Sequence, residues 1–239
     1  MKFGVVTFPG SNCDFDAFAA VRDSIGQPVE FLWHRDADLK GCDLVILPGG
    51  FSYGDYLRVG SIARFSPVMK SVIEFARSGG LVWGICNGFQ ILLEAGLLPG
   101  AMLNNRSLRF SCRQVYIKTE TTASAYTKHV PLGAVLKIPI AHSEGNYYAP
   151  DDVLDKLEES GRVAFRYCGL DGQLADEFNP NGSARHIAGI LNEERNVLGM
   201  MPHPERAMEV ILGSVDGYRL FTSVVKTFTD NVLETEEVA

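Results

Sequence analysis

Three side chains far apart in the chain are of the types that carry acyl-transfer chemistry: Cys86, His203 and Glu205. A cysteine thiolate attacks carbonyl carbon, provided a base lies near it and a further group orients that base. Histidine titrates near neutrality and suits both the removal and the return of a proton. A carboxylate beside it can accept from the other ring nitrogen and fix the tautomer. The order Cys, His, Glu is no obstacle, because geometry rather than order defines such a triad. Each residue also has a plainer reading, with Cys86 a buried structural thiol and His203 a strand-end residue that packs or caps.

The neighbours of Cys86 favour the chemical reading. Gly80-Leu81-Val82-Trp83-Gly84-Ile85 is a short apolar run that predicts a buried parallel strand. A helix is predicted from Gly88 to Glu94, with Gly96 able to end it. Cys86 sits at the join, with Gly84 and Gly88 two residues to either side, so strand and helix can approach around a sharp turn. This is the pattern of a nucleophile elbow with cysteine in place of serine. It also puts the sulfur at a helix N-terminus, where a thiolate is favoured. Proline on each side of His203 stiffens its backbone.

The elements that must position these residues read as βαβ units. Strands are predicted at Phe3 to Phe8, Val29 to Trp33 and Asp43 to Leu47. Helices are predicted from Asn12 or Asp14 to Ile25, ended by Gly26, and from Ile62 to Arg77. In such sheets, sites form beyond the carboxyl ends of the strands. One of those ends is Pro48-Gly49-Gly50-Phe51-Ser52-Tyr53-Gly54-Asp55. Its glycines can turn an N–H towards a neighbouring site and allow a peptide to rotate, and the N–H of Asn87 would be a second oxyanion donor. A surface loop with turn glycines is the plainer alternative. Asp55 and Arg58 fit a loop ion pair or a partner contact.

Beyond Asn104 the pattern weakens. Val115 to Lys118 and Val135 to Ile140 look like strands. Arg106, Arg109 and Arg113 around Phe110 fit either a solvated rim or a patch for a phosphorylated substrate or a partner. His142 and Glu144, two apart, share a face if the chain is extended there. They would form a local ion pair or part of a pocket wall. Later elements are a helix from Asp151 to Ser160 and strands at Val163 to Tyr167, Ile187 to Leu191 and Val197 to Met201. A helix from Asp216 to Val232 closes the domain, followed by an acidic end at 234–237 expected to fray.

Composition narrows the classes. The 239 residues are expected to form a single domain, 1–239, and at 46% hydrophobic they can fill a core. A net charge of −7 argues against a nucleic-acid or anionic-membrane partner. No stretch is long and apolar enough to span a bilayer, and the start runs straight into a strand with no signal peptide in view. The cysteines, 13, 42, 86, 112 and 168, are odd in number and scattered, without a CxxC pair. Neither a disulfide framework nor a metal site is expected, and a reducing cytoplasm is. Gly10-Ser11-Asn12 lacks the Walker lysine and a GxGxxG pattern, so it reads as an ordinary strand-to-helix turn.

Taken together, Gly84-Ile85-Cys86-Asn87-Gly88-Phe89-Gln90 and Pro202-His203-Pro204-Glu205 resemble the two signature motifs of the class I glutamine amidotransferases. Within that family the likeness is greatest to the glutaminase subunits of phosphoribosylformylglycinamidine synthases. It rests on Pro9 to Asp14, Pro48 to Asp55, Ala141 to Tyr147 and Asn179 to Ser183, and runs from Phe3 to Phe228. The resemblance implies an α/β fold with a mostly parallel central sheet, helices on both faces and a flavodoxin-like layout. It implies Cys86 as nucleophile, His203 as base and Glu205 as orienter. Gly50 and Asn87 would be backbone oxyanion donors, and Gln90, His142 and Glu144 would border the glutamine pocket. It further implies no cofactor in this subunit, with ATP and magnesium on a large synthetase partner and a small third subunit in the assembly. The rival readings are a cysteine peptidase or related hydrolase, a catalytically silent assembly subunit, and an amidotransferase of another pathway.

Overall fold

The computed structural model describes residues 1–238, the backbone alone beyond Leu233. The parallel strands come first in the chain. They are β1 (Phe3–Thr7), β2 (Val29–Trp33), β3 (Leu44–Leu47) and β4 (Leu81–Ile85), with helices α1 (Asp14–Ala19), α2 (Pro67–Arg77) and α3 (Asn87–Glu94) between and after them. Next come β5 (Ala101–Leu103), β6 (Ser111–Thr119), β7 (Val135–His142), β8 (Asn146–Tyr148), α4 (Asp151–Glu159), β9 (Val163–Cys168), β10 (Ile187–Leu191) and β11 (Val197–Met200). Helix α5 (Asp216–Val238) is last.

The main sheet runs β2-β1-β3-β4-β11-β10-β9-β6-β7. Neighbours from β2 to β11 pair parallel; every pair from β11 to β7 is antiparallel. Because β10 and β6 alone run against the rest, most strands still share one direction, as expected. Strands β3, β10 and β11 are buried along their whole length, which is why they read as continuous apolar runs. Helices cover both faces. Trp83 packs on Phe221 of α5 at 4.7 Å and edge-on to Tyr126 at 5.3 Å. Gly84, on the opposite face, lies under Leu92 and Gly88 of α3, and a Cβ there would sit inside van der Waals contact.

Several boundaries differ from the expectation for local reasons. The helix expected over Ile62 to Arg77 is broken. A single turn, Ala63–Phe65, is followed by Ser66 at φ −63°, ψ 143°, and α2 starts at Pro67. The residue before proline is pushed out of the helical region, and proline suits the first helical position. Neither Asn12 nor Asp14 caps α1. Cys13 holds the cap position without a side-chain bond, and α1 continues as a π-helical stretch to Ile25, where Gly26 turns left-handed. No period in the sequence marks the short β5–β8 pair, and β6 starts earlier than its apolar core. Helix α5 runs past Val232; the side chains of the acidic end at 234–237 lie outside the described residues.

The antiparallel half curls back. Although β7 is the last strand of the sheet, its Pro139 carbonyl accepts from the His203 N–H at 2.8 Å and its Ala141 carbonyl lies 3.7 Å from Cys86 Sγ. The sheet edge therefore closes over the carboxyl ends of β4 and β11.

Candidate active site

Cys86 stands between β4 and α3 at φ 51°, ψ −106°, a conformation costly for a residue with a Cβ. Its N–H is held by Met200 O at 2.8 Å, which ties the elbow to the end of β11. Gly88 permits the turn, because a Cβ there would penetrate the Leu47 carbonyl of β3. Strain at a cysteine, enforced by two neighbouring strands, is the expectation for a nucleophile elbow.

His203 follows β11. Its Nδ1–H donates to Glu205 Oε1 at 2.6 Å, and both side chains are at most 1% exposed. Burial opposes charge on the ring. The charges of Glu205 and of Cys86 outweigh it, so the imidazole is held protonated well above its ordinary range. Its Nε2 has no hydrogen-bond partner among the described residues. The charge of Cys86 acts on the same ring as that of Glu205, so the three triad candidates lie near one another.

Gly50 lies at φ +143°, and a Cβ would come within 2.8 Å of Asn12 N and Ser11 Cα. Glycine is required there. The N–H groups of Gly50 and Asn87 donate to no group of the described residues. The loop around Gly50 is braced rather than loose. The turn after β1 is more than a connection, since Phe51 N–H donates to Gly10 O, Tyr53 N–H to Pro9 O, and Cys13 N–H to Gly49 O. Tyr53 Oη also bonds His34 Nδ1 at 2.7 Å and Ser66 Oγ at 2.8 Å. Rotation of the Gly49–Gly50 peptide would have to give up the bond to Cys13.

A relay joins this loop to the far wall. Ser52 N–H donates to Asn87 Oδ1 at 3.2 Å, Asn87 Nδ2 to Gln90 Oε1 at 3.0 Å, and Gln90 Nε2 to the Glu144 carbonyl at 2.6 Å. Gly50, Cys86, Gln90, His142 and Glu144 line one narrow cleft, together with Asp55 and Ala141. The side chains of His142 and Glu144 are not an ion pair. Burial, and then the charge of His203, push His142 down to about 3, so it is neutral.

The sequence pattern leaves Asn105 unmarked and does not show where Asp55 turns. Asn105, fully buried, donates to His142 O and Arg109 O, both at 2.9 Å, and its Oδ1 meets Gly145 N–H at 3.0 Å and His142 Nδ1 at 3.1 Å. No local pattern marks it, since Asn104-Asn105-Arg106-Ser107 reads as an ordinary polar turn. Asp55 does not pair with Arg58, which instead bonds Glu94. Asp55 turns into the cleft, and burial with the nearby Glu144 charge raises it to about 6. Arg106, Arg109 and Arg113 lie exposed. A larger cavity, bounded by Arg77, Leu97, Arg162 and Asn192, opens at the opposite end of β4 and β11 and lacks such a constellation.

The model of the CobB/CobQ-like glutamine amidotransferase domain matches residues 1–222. The subunit PurQ of phosphoribosylformylglycinamidine synthase from Moorella thermoacetica is 59% identical over 225 residues, covering 94% of this chain and 95% of that protein. The chain belongs to the glutamine amidotransferase family, in its PurQ branch. The PurQ of Koribacter versatilis is 58% identical, covering 94% of this chain and 97% of its own. The structure of PurLQS from Thermotoga maritima contains a chain that superposes with a TM-score of 0.85 at 41% identity, covering 95% of this chain and 98% of that one. Among the described residues no helix is long and apolar enough to cross a membrane.

Proposed function

We propose that this chain, as a single domain in the cytoplasm, is the glutaminase subunit of phosphoribosylformylglycinamidine synthase in de novo purine biosynthesis. Cys86 Sγ attacks the side-chain amide carbon of glutamine, and His203 protonates the departing ammonia. The oxyanion is received by the N–H groups of Gly50 and Asn87. Water, deprotonated by His203, then cleaves the glutamyl thioester, so glutamine and water give glutamate and ammonia. Glu205 holds the imidazole in the tautomer that presents Nε2 to the sulfur. Gln90, His142 and Glu144 shape the glutamine pocket. The ammonia passes to a large synthetase subunit that carries ATP and magnesium, with a small third subunit in the assembly.

The observation that carries this reading is the buried His203–Glu205 pair at 2.6 Å, with an unpartnered Nε2, on a ring that feels the charge of a cysteine on a strained elbow. The test is glutamate release by the assembled complex made with Cys86→Ala, alongside labelling of the native chain by a glutamine-mimicking electrophile. Loss of hydrolysis and a modified peptide containing Cys86 are expected. Hydrolysis near the native rate in the variant would refute the reading.

A further inference from the structure

One buried donor, Cys13, is left over by the glutaminase reading, and it lies against the triad. Cys13 Sγ, a ring nitrogen of His203 and a carboxylate oxygen of Glu205 all lie within 4.8 Å of one another. Positions 13, 203 and 205 have no metal-motif spacing, so the grouping appears only in the fold. Gly49 leaves the room for it: a Cβ there would meet His203 Cε1 at 2.7 Å, Cys13 Sγ at 3.0 Å and His203 Nδ1 at 3.3 Å. The sulfur therefore lies beside the Cε1 side of the ring, next to the Nδ1 that bonds Glu205.

We propose that Cys13, His203 and Glu205 form a zinc-type metal site, whose occupation switches off the nucleophile by taking the Nδ1 edge of His203. The donor set is thiolate sulfur, imidazole nitrogen and carboxylate oxygen, which suits a borderline-soft divalent ion. Two anionic ligands and a neutral imidazole balance a dication, so the filled site is neutral where a buried net charge is costly. Three protein ligands leave one tetrahedral position open.

Binding has a proton cost. Burial holds the Cys13 thiol up, so the metal must displace its proton as well as the one on Nδ1. Arg206 Nη2, 3.2 Å from Cys13 Sγ, favours the thiolate, and its own charge is met by Asp16 at 2.8 Å. The His203–Glu205 contact has to open from 2.6 Å to roughly 3.3 Å for both atoms to reach one ion. Metal affinity therefore rises with pH. A ring nitrogen committed to metal no longer donates to Glu205, and Cys86 loses its oriented base. The inhibitory half of the proposal rests on the glutaminase reading; the binding half does not.

The test is titration of Cd²⁺ into the full chain carrying Cys86→Ala and Cys112→Ala, which removes the nucleophile and the exposed thiol. Binding is followed by the ultraviolet thiolate-to-cadmium band and by calorimetry. One equivalent with proton release is expected. Adding Cys13→Ser should abolish the band, and adding Glu205→Gln, with every remaining thiol in place, should weaken binding by roughly 10–100-fold. The second variant decides the matter if the first does not fold. In parallel, Zn²⁺ should inhibit glutamine hydrolysis by the native chain less after Cys13→Ser, each variant compared with its own metal-free rate. Absent binding without Cys86, or binding unchanged by Cys13→Ser and Glu205→Gln, would overturn the site. Cys13-dependent binding, together with no glutamine hydrolysis by the assembled complex of the native chain, would uphold the site and refute the glutaminase reading instead.

Discussion

The two halves of the sheet divide the work unequally. The parallel half, β2 to β11, delivers Cys86, His203 and the Gly50 loop from the ends of adjacent strands, in register fixed by pairs such as Met200 with Ile85 and Leu47 with Gly84. The antiparallel half contributes no triad member. It supplies a wall: β7 curls in so that Ala141, His142 and Glu144 face the elbow. The difference teaches that the elbow and the histidine turn are set by short, strained joins in the parallel half, whereas the wall of the cleft depends on long-range closure of the other.

Breaking the parallel half should cost most. His203→Ala removes the proton carrier, a role worth roughly 10²–10⁴-fold in turnover, and Glu205→Gln, which leaves the base in place, is expected to cost less. Steady-state glutamate release in the assembled complex checks the order, and a larger loss from the glutamate change would reverse it. Gly50→Ala comes next. At φ +143°, with a Cβ 2.8 Å from Asn12 N, it must displace the N–H proposed as an oxyanion donor, and loss of one such donor costs roughly 10²–10³-fold. The loss should fall on kcat with the fold retained, as read by circular dichroism.

Changes to the antiparallel wall should act on fit. Asn105→Ala abandons the partners of His142 and Gly145 and is expected to cost about 1–3 kcal/mol of stability. KM for glutamine should rise more than kcat falls; a loss confined to kcat would place the wall in the chemistry and blur the division drawn above.

What the sequence made legible follows the same line. Residues 80–90 and 202–205 are punctuated by Gly and Pro, whose backbone demands are local, so the elbow and the His-Pro-Glu turn could be read directly. The Gly50 loop could be read as a glycine-rich strand-end loop, but its bracing by Pro9 and Gly10 needs the fold. Asn105 and the curl of β7 depend on contacts between residues far apart in sequence, and no period in a single strand encodes them. Of the two readings of Asp55 and Arg58, the loop ion pair fails for a similar reason, since Glu94 is the distant residue that takes Arg58.

The smallest expected effect concerns Asp55, where the two halves meet. Its carboxyl is raised to about 6 in the fold against 3.8 when unperturbed, so the folded state binds the proton more tightly. Stability from this group is present below the unperturbed value and is lost as pH rises through about 6. Asp55→Asn should therefore raise Tm at pH 8 relative to the native chain and lose that advantage near pH 4, as followed by thermal melts across pH. An advantage that grows towards low pH would contradict the burial of this carboxyl.

The central claim is that Cys86 carries the acyl group while the curled wall only holds the substrate. Acid quenching of the assembled complex during turnover of isotopically labelled glutamine, with mass mapping of the trapped adduct, tests it directly. The account predicts a labelled glutamyl group on the peptide containing Cys86, retained in Asn105→Ala once glutamine is saturating and absent in Cys86→Ala. Label on another residue, or normal turnover by Cys86→Ala with no adduct, would contradict it.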